Sequence, residues 1–479
     1  MLLEKIKKLI PRKFFYAFQP IYHFLVALAA ALAYRFPSRK LIVIGVTGTA
    51  GKTSTVYLIA KMLSEAGYKT GFTSTSVFSD GNSEWLNDKK MTMPGRFFIQ
   101  RTLSQMLKNK CRYAIVETTS EGIKQFRHQF INYDILIFTG LYPEHIKSHG
   151  SFEKYKEAKG KLFAHLKNCS TKYINDDKIV ISPKNNLKKL DLTRVLKTII
   201  VNGDDENYNY FLNFWSEAKM VCSFNQEIKE SNIIKSLSSE AIVKDFTIIQ
   251  GSDVSATPQG ISLKIKNEDI NLKLLGEFNA LNALSAYALG LNQKIETAEI
   301  KNGLERVSGL AGKLELISAG QNYTAIVDYS FEPKAMEKLY KAIELIPKNK
   351  TIHVLGSAGG GRDSSRRPIL GKIAGENADI VIVSNEDPYD EDPMLIIEQV
   401  AAGAEEAGKI LNKNLFKILD RREAIKKALS LAEEGDTVLF TGKGAEQHIC
   451  VAGGEKIPWD ERLVVKEEIS LGLCGKTVC

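Results

Sequence analysis

The chain lacks the features that build metal ribbons, disulfide frameworks and membrane spans. Its six cysteines (Cys111, Cys169, Cys222, Cys450, Cys474 and Cys479) form no C-x-x-C pair and have no histidines at zinc spacing. Neither a zinc ribbon nor a disulfide-framed secreted domain is indicated, and a reducing cytosol fits best. No internal repeat and no low-complexity linker interrupts the chain. Long apolar runs are scarce as well. The one candidate, residues 14–34 (FFYAFQPIYHFLVALAAALAY), is split by Pro20, and its clean part from Ile21 to Tyr34 is short for a bilayer. No small-residue cleavage site follows it, so it does not read as a signal peptide. Lys7, Lys8, Arg12 and Lys13 precede it, and Arg35, Arg39 and Lys40 follow. It reads as a helix packed on the body of the protein or lying in a membrane surface, in preference to a span.

What is present suits a multi-domain globular enzyme. A chain of 479 residues, 44% hydrophobic and 25% charged, can fill two or three cores. A net charge of +9 suits anionic substrates such as nucleotides, although dispersed surface lysines would give the same total; no nucleic-acid partner is expected. The run LIVIGV (41–46) reads as a buried strand that ends in glycines and opens into a helix over 53–67. YAIVE (113–117) and YDILIFTG (133–140) continue an α/β pattern with a mostly parallel sheet. From about 170 to 275 short strand-like pieces take over, read as a β-rich flap, and a helix follows at NALNALSAYALGL. A second alternation begins near 310 with TAIVDYS, KTIHVLG, ADIVIVSNED and DTVLFTGKG. The expected architecture is α/β: a short N-terminal segment (1–40), a central P-loop ATPase domain (41–308) and a Rossmann-like C-terminal domain (309–479).

The string GVTGTAGKTST (45–55) carries the phosphate chemistry. Gly45, Gly48 and Gly51 permit tight turning so that backbone amides meet phosphate oxygens. Lys52 adds positive charge and Thr53 offers a hydroxyl to Mg²⁺. Val46 stands where the strict P-loop pattern has its first glycine. Glu117 ends a strand, and the next strand leads to His145, His149 and Lys159. Singly, those histidines read as surface or capping residues and Lys159 as part of a solvated helix face. Together they suit a metal and activation site.

The ordered motifs TGTAGKTS, MTMPGRFFIQ, ETTSEGIKQFR, FTGLYPEHIKSHGSFEKYKEAKGKLF, GEFNALNA, GLAGKLE, VDYSFEP, GGGRDSSRRP, EDPYDEDP and GKGAEQ, spread over about 41–465, resemble the Mur ligase family and within it the MurE branch. The resemblance implies ATP-driven formation of an acyl phosphate, attack by an amine, and release of ADP and phosphate. It implies that residues Gly48, Thr49, Ala50, Gly51, Lys52, Thr53 and Ser54 hold the ATP phosphates, with Asn279, Asn282, Lys313 and Asp328 also meeting the nucleotide. Thr53, Glu117, His145 and a carbamylated Lys159 would organise Mg²⁺. Lys52, Lys159, His145 and Glu117 would carry the catalysis. Thr92, Met93, Thr119, Gln125 and Arg127 would meet a muramyl-peptide nucleotide or related acceptor. Arg362, Glu386, Asp387, Tyr389, Gly442 and Glu446 would meet the incoming amino acid.

Some positions depart from the family pattern. Lys313 replaces an arginine, Phe331 the histidine of D-Y-A-H, and Ala445 the histidine of G-K-G-H-E. Tyr389 stands where diaminopimelate-using members have an arginine for the distal carboxylate, while Glu386 and Asp387 suit a distal ammonium. A diamino acid such as L-lysine is therefore favoured, with diaminopimelate open if a nearby cation replaces the missing arginine. Family members carry a uridine-nucleotide domain before the P-loop. Here 44 residues precede Gly45, and the N-terminal segment is expected to stand in that domain's place. A folylpolyglutamate-like or pseudomurein-type ligase is the alternative. The expected enzyme is cytoplasmic and monomeric, with residues 14–34 packed on its body or in contact with a membrane surface.

Overall fold

The computed structural model describes residues 12–144, 146–175, 178–181, 192–225 and 227–476. Among them, one sheet of eleven strands dominates the first part of the chain. Its middle strands, Ala218–Ser223, Thr198–Asn202, Ile135–Phe138, Ile42–Thr47, Tyr113–Glu117 and Thr70–Thr73, run parallel in that spatial order. Side chains alternate between two cores as the pleat requires. Ile42, Ile44, Ile115 and Ile137 enter one face, while Val43, Ala114, Leu136 and Phe138 enter the other. Both faces are covered, which is why these strands read as unbroken apolar runs.

The stretch expected as a flap is instead an extension of this sheet. Asp245–Thr257 pairs parallel with Ala218–Ser223 along its first half and antiparallel with Gly260–Ile265 along its second. The register shifts between Ser252 and Ser255, where Asp253 has a φ of 52°. Alternating polar and apolar residues announced a strand with one solvated face, but alternation does not identify the neighbour. Within that stretch, Lys172–Asn175, Lys178–Ile181 and Thr193–Val195 form a separate small sheet.

A second, six-stranded sheet runs Glu315–Ile317, Thr324–Asp328, Thr437–Thr441, Thr351–Leu355, Ile380–Ser384, Leu415–Ile418. All its pairings are parallel except that of the first edge strand. Helices cover both faces around two further cores.

The helix Arg12–Ala33 contains Pro20 and lies on the helix Arg96–Lys108. Ala27, Ala30 and Ala31 are buried there, and the Phe24 ring meets Phe126 and Phe130. Phe18, Ile21, Tyr22, Leu25 and Leu32 remain exposed. No described helix is long and apolar enough to cross a membrane.

Candidate active site

The phosphate loop follows the strand Ile42–Thr47 and opens the helix Lys52–Glu65, at the carboxyl edge of the parallel sheet. Its carbonyls are held inward. Lys159 Nζ donates to Gly48 O at 2.8 Å, Lys52 Nζ to Thr49 O at 2.8 Å, and Thr139 Oγ1 to Ala50 O at 2.6 Å. With the carbonyls engaged, the amides and the helix N-terminus are left for an anion. Gly51 has a φ of 79°, and a Cβ there would lie 2.4 Å from Asn282 Oδ1. Asn282 also accepts from Thr55 Oγ1 at 3.2 Å and donates to Asn279 Oδ1 at 2.8 Å. The two asparagines thus support the loop from behind while lining the same cavity as residues 48–54.

Register places Glu117 opposite Val46, beside the loop. The Glu117 carboxylate is fully buried and accepts from Thr53 Oγ1 at 3.0 and 3.2 Å, from Thr75 N at 2.8 Å and from Thr75 Oγ1 at 2.8 Å. A hydroxyl and a carboxylate this close supply hard oxygen donors that fit Mg²⁺. No group of three or more His, Cys, Asp or Glu suited to a metal occurs among the described residues. His145 lies outside the described residues. His149 Nε2 contacts Ser120 Oγ at 3.1 Å and Glu121 Oε1 at 3.2 Å, away from Glu117.

Lys159 is on the helix Phe152–Leu166 but is buried, not solvated. Burial, reinforced by Lys52, holds its amine well below the usual ammonium range, against the pull of Glu144 and Glu117. Glu144 is pushed up by burial while Lys52, Lys159, Arg366 and Lys313 draw it down. Lys313 arrives from the C-terminal half. Burial lowers it although Asp328 and Glu117 attract its charge, and its Nζ stands 4.8 Å from the Tyr329 ring centroid. Asp328 accepts from Leu314 N at 2.7 Å and from the Ser330 hydroxyl.

Beyond the loop, Thr92 Oγ1 is 2.8 Å from Thr75 Oγ1, which ties it to Glu117. Met93 packs its side chain in the core and turns its carbonyl to Arg127 Nη1. Arg127 Nη2 also donates to Gln125 Oε1 at 2.7 Å, and burial beside Arg96 lowers its pKa. Thr119 caps the helix Ser120–Lys124 by accepting from Gly122 N at 3.1 Å. These residues, the phosphate loop, Asp328, Lys313 and Arg362 share one cavity of about 610 Å³.

The C-terminal wall is built at the ends of Ile380–Ser384 and Thr437–Thr441. Glu386 is buried, and burial together with Asp387 pushes its carboxyl up. Its Oε2 lacks a hydrogen-bond partner among the described residues. Gly442, with a φ of 98°, leaves room for that oxygen, since a Cβ would come within 2.3 Å of it. Glu446 accepts from Tyr329 OH at 2.9 Å and Lys443 Nζ at 2.8 Å. Arg362 is drawn upward in pKa by Tyr389, Tyr329 and Glu446, which outweigh its burial. Asp387 accepts from Lys443, from Cys450 N and from Lys90 of the central sheet's own half.

Models of the Mur ligase middle domain and of the Mur ligase glutamate ligase domain match residues 46–199 and 312–444. A UDP-N-acetylmuramyl-tripeptide synthetase of Roseiflexus sp. (strain RS-1) is 34% identical over 94% of this chain and 83% of its own. The chain belongs to the Mur ligase family. Among other Mur ligases, a UDP-N-acetylmuramoyl-L-alanyl-D-glutamate--2,6-diaminopimelate ligase of Geobacillus kaustophilus (strain HTA426) is 31% identical over 93% of this chain and 82% of its own. The fold also matches Mycobacterium tuberculosis folylpolyglutamate synthase, with a TM-score of 0.62 at 15% identity over 94% of this chain and 95% of that one.

One family substitution is accommodated locally in this Mur ligase. Phe331 meets the Tyr329 ring edge-on at 5.0 Å and lies under the Arg366 guanidinium at 5.3 Å, so an apolar and cation–π contact fills the histidine's place. Ala445 is buried, and its backbone nitrogen lies 2.1 Å from where a Gly312 Cβ would stand, so this crossing requires glycine at 312, while nothing in the structure explains the alanine at 445. Sequence reasoning missed Thr75, Glu144, Tyr329, Lys443 and Lys90. Glu144 carried a signal, its place beside His145, whereas Lys90 was hidden in a lysine pair whose other member, Lys89, is surface-facing.

Proposed function

We propose that this chain is an ATP-dependent, ADP-forming ligase that adds an amino acid to a muramyl-peptide carboxylate in peptidoglycan precursor synthesis. The observation that carries this is the shared cavity, lined by Lys52, Thr53 and Glu117 of the central half together with Lys313, Asp328 and Arg362 of the C-terminal half. A carboxylate oxygen of the acceptor attacks the γ-phosphorus of ATP, the bond to the β–γ bridging oxygen breaks, and ADP leaves. The amine nitrogen then attacks the acyl carbon, phosphate departs with the C–O bonding pair, and the amine loses a proton. Lys52 and Lys313 neutralise charge on the phosphates, and Arg127 faces the anionic acceptor. Thr53 and Glu117, with His145 and a carbamylated Lys159, would hold Mg²⁺, which supplies charge neutralisation to the phosphoryl group. The buried, neutral-leaning amine of Lys159 is the form that captures CO₂, and the carbamate would replace a repelling cation by an anion. Arg362 meets the amino acid's α-carboxylate, with Glu446 near an amino group.

We propose a monomeric enzyme. We place it in the cytoplasm, where ATP is, at the membrane surface: the exposed stripe Phe18, Ile21, Tyr22, Leu25 and Leu32 adjoins exposed Arg35, Arg39 and Lys40. ADP release measured over a panel of acceptors tests the reading. Release should require both an amino acid and a muramyl-dipeptide acceptor, and release with a pteroyl-glutamate acceptor alone would contradict it.

A further inference from the structure

The helix Arg12–Ala33 has two unlike sides. Phe18, Ile21, Tyr22, Leu25 and Leu32, all exposed, fall on one stripe at helical spacing. The other side packs through Ala27, Ala30 and Ala31, and His23 and Phe24 lie outside the exposed stripe by the same spacing. The Phe24 ring meets Phe126 at 6.5 Å and Phe130 at 5.2 Å between centroids. Phe126 stands between Gln125 and Arg127, and both of those residues line the cavity. The helix therefore borders the cavity at the residues read as acceptor contacts.

Charge at this border is unbalanced. Arg96 donates to Gln125 O, and Arg127 donates to Met93 O and Gln125 Oε1, so neither guanidinium has a carboxylate partner among the described residues. Glu121, the acid that attracts Arg127, is itself bound by Ser148 Oγ at 2.7 Å and His149 Nε2 at 3.2 Å. Burial disfavours both guanidinium charges, and Arg96 adds to that at Arg127. His23 lies in the same field. Burial, then Arg96 and Arg127, hold it below the usual imidazole range, and neither ring nitrogen has a hydrogen-bond partner among the described residues. An anion arriving here would offset charge that the chain leaves uncompensated, and guanidinium groups are suited to phosphate.

The stripe and the arginine pair belong to one helix and its immediate neighbours. With exposed Arg35, Arg39 and Lys40 following it, the stripe is complementary to the surface of an anionic bilayer. A helix with its side chains is about 10 Å thick, so a bilayer that receives the stripe comes within one helix width of the arginines. We propose that the acceptor is membrane-anchored: a muramyl peptide joined through a diphosphate to a lipid, with the stripe seated in the headgroup layer and Arg96 and Arg127 receiving the diphosphate. This names the acceptor class within the ligase reading above and rests on it. Enzyme and acceptor held on one surface meet at a raised effective concentration, whereas a freely diffusing acceptor gains nothing from an interfacial helix at this border.

The test uses the full chain with vesicles of phosphatidylglycerol and phosphatidylethanolamine. It compares kcat/KM for one muramyl dipeptide presented in two ways, on an isoprenoid diphosphate in the vesicles and on uridine diphosphate in solution. The wild type should favour the lipid-borne acceptor by about tenfold or more. Phe18→Ser, Tyr22→Ser and Leu25→Ser together should lower that ratio about tenfold, and tryptophan at the same three positions, a residue that favours the interface, should retain it. Arg96→Gln should raise KM for both acceptors, since both carry a diphosphate. A wild-type preference for the uridine-borne acceptor, a ratio that the serine variant leaves unchanged, or an Arg96→Gln enzyme with both KM values unaltered would overturn the proposal. If the wild type couples an amino acid to the uridine-borne acceptor and not to the lipid-borne one, this inference fails alone. If neither acceptor gives ADP release with any amino acid, the ligase reading fails and this inference with it.

Discussion

Lys52 and Lys159 illustrate how much a single position reveals before its surroundings are known. The G-K-T string identified Lys52 by pattern, and Lys52→Ala should lower ATP turnover on the order of a hundredfold or more, because a phosphate-facing charge is lost at the reacting group; wild-type-like turnover would remove it from the site. Lys159 looked like one more lysine on a K-E-A-K-G-K helix, and only the resemblance singled it out. Burial against Gly48 O distinguishes it physically. With ¹³C-labelled bicarbonate the wild type should show a carbamate resonance that Lys159→Ala lacks, and a small carboxylate should restore part of that variant's activity. A resonance that persists in Lys159→Ala would contradict the assignment. The stability side has its own residues. Buried Arg421 binds Glu461 at 2.6 Å and donates to Asn385 O at 3.0 Å and Thr441 O at 2.7 Å, fixing the two strand ends that carry Glu386 and Gly442. Glu461→Ala should cost about 3–5 kcal/mol of unfolding free energy by leaving the guanidinium buried and unpaired, measured by denaturant titration. Nothing in the local sequence joins residues forty positions apart, so this pair was not legible there.

Elements were legible where their period was strong. The parallel strands around Ile42–Thr47 and the second alternation after 310 were read from unbroken apolar runs, because both faces of each sheet are covered. The short edge strands Glu315–Ile317 and Leu415–Ile418 were not, since three or four residues carry no period. The N-terminal helix was legible in its existence but not in its face. Small residues, Ala27, Ala30 and Ala31, allow the close approach to Arg96–Lys108, while large apolar residues stay outside. Replacing Phe18, Tyr22 and Leu25 together by serine should weaken binding to vesicles containing anionic lipid, while coupling of a water-soluble acceptor is largely retained. Equal vesicle binding by the variant would place those side chains in another role.

At the scale of the whole molecule, the sequence announced two α/β units but not how their edges meet. The meeting is made by charges from both sides: Lys313 is attracted to Glu117 of the central sheet, and Lys90 binds Asp387 of the second sheet. Such contacts join distant positions through topology, and neither composition nor spacing encodes them. They enclose the cavity in which nucleotide, acceptor and amine must be brought together, the arrangement that turns a three-substrate reaction into sequential steps within one site. The most direct test is a stoichiometric one: purified full-length enzyme, ATP, Mg²⁺, a muramyl-dipeptide acceptor and one diamino acid, with ADP followed continuously and the acceptor product weighed by mass spectrometry. One ADP should be released for each amide bond formed, and none when acceptor or amine is left out. ATP hydrolysis that proceeds without either, or an acceptor whose mass never changes, would contradict it.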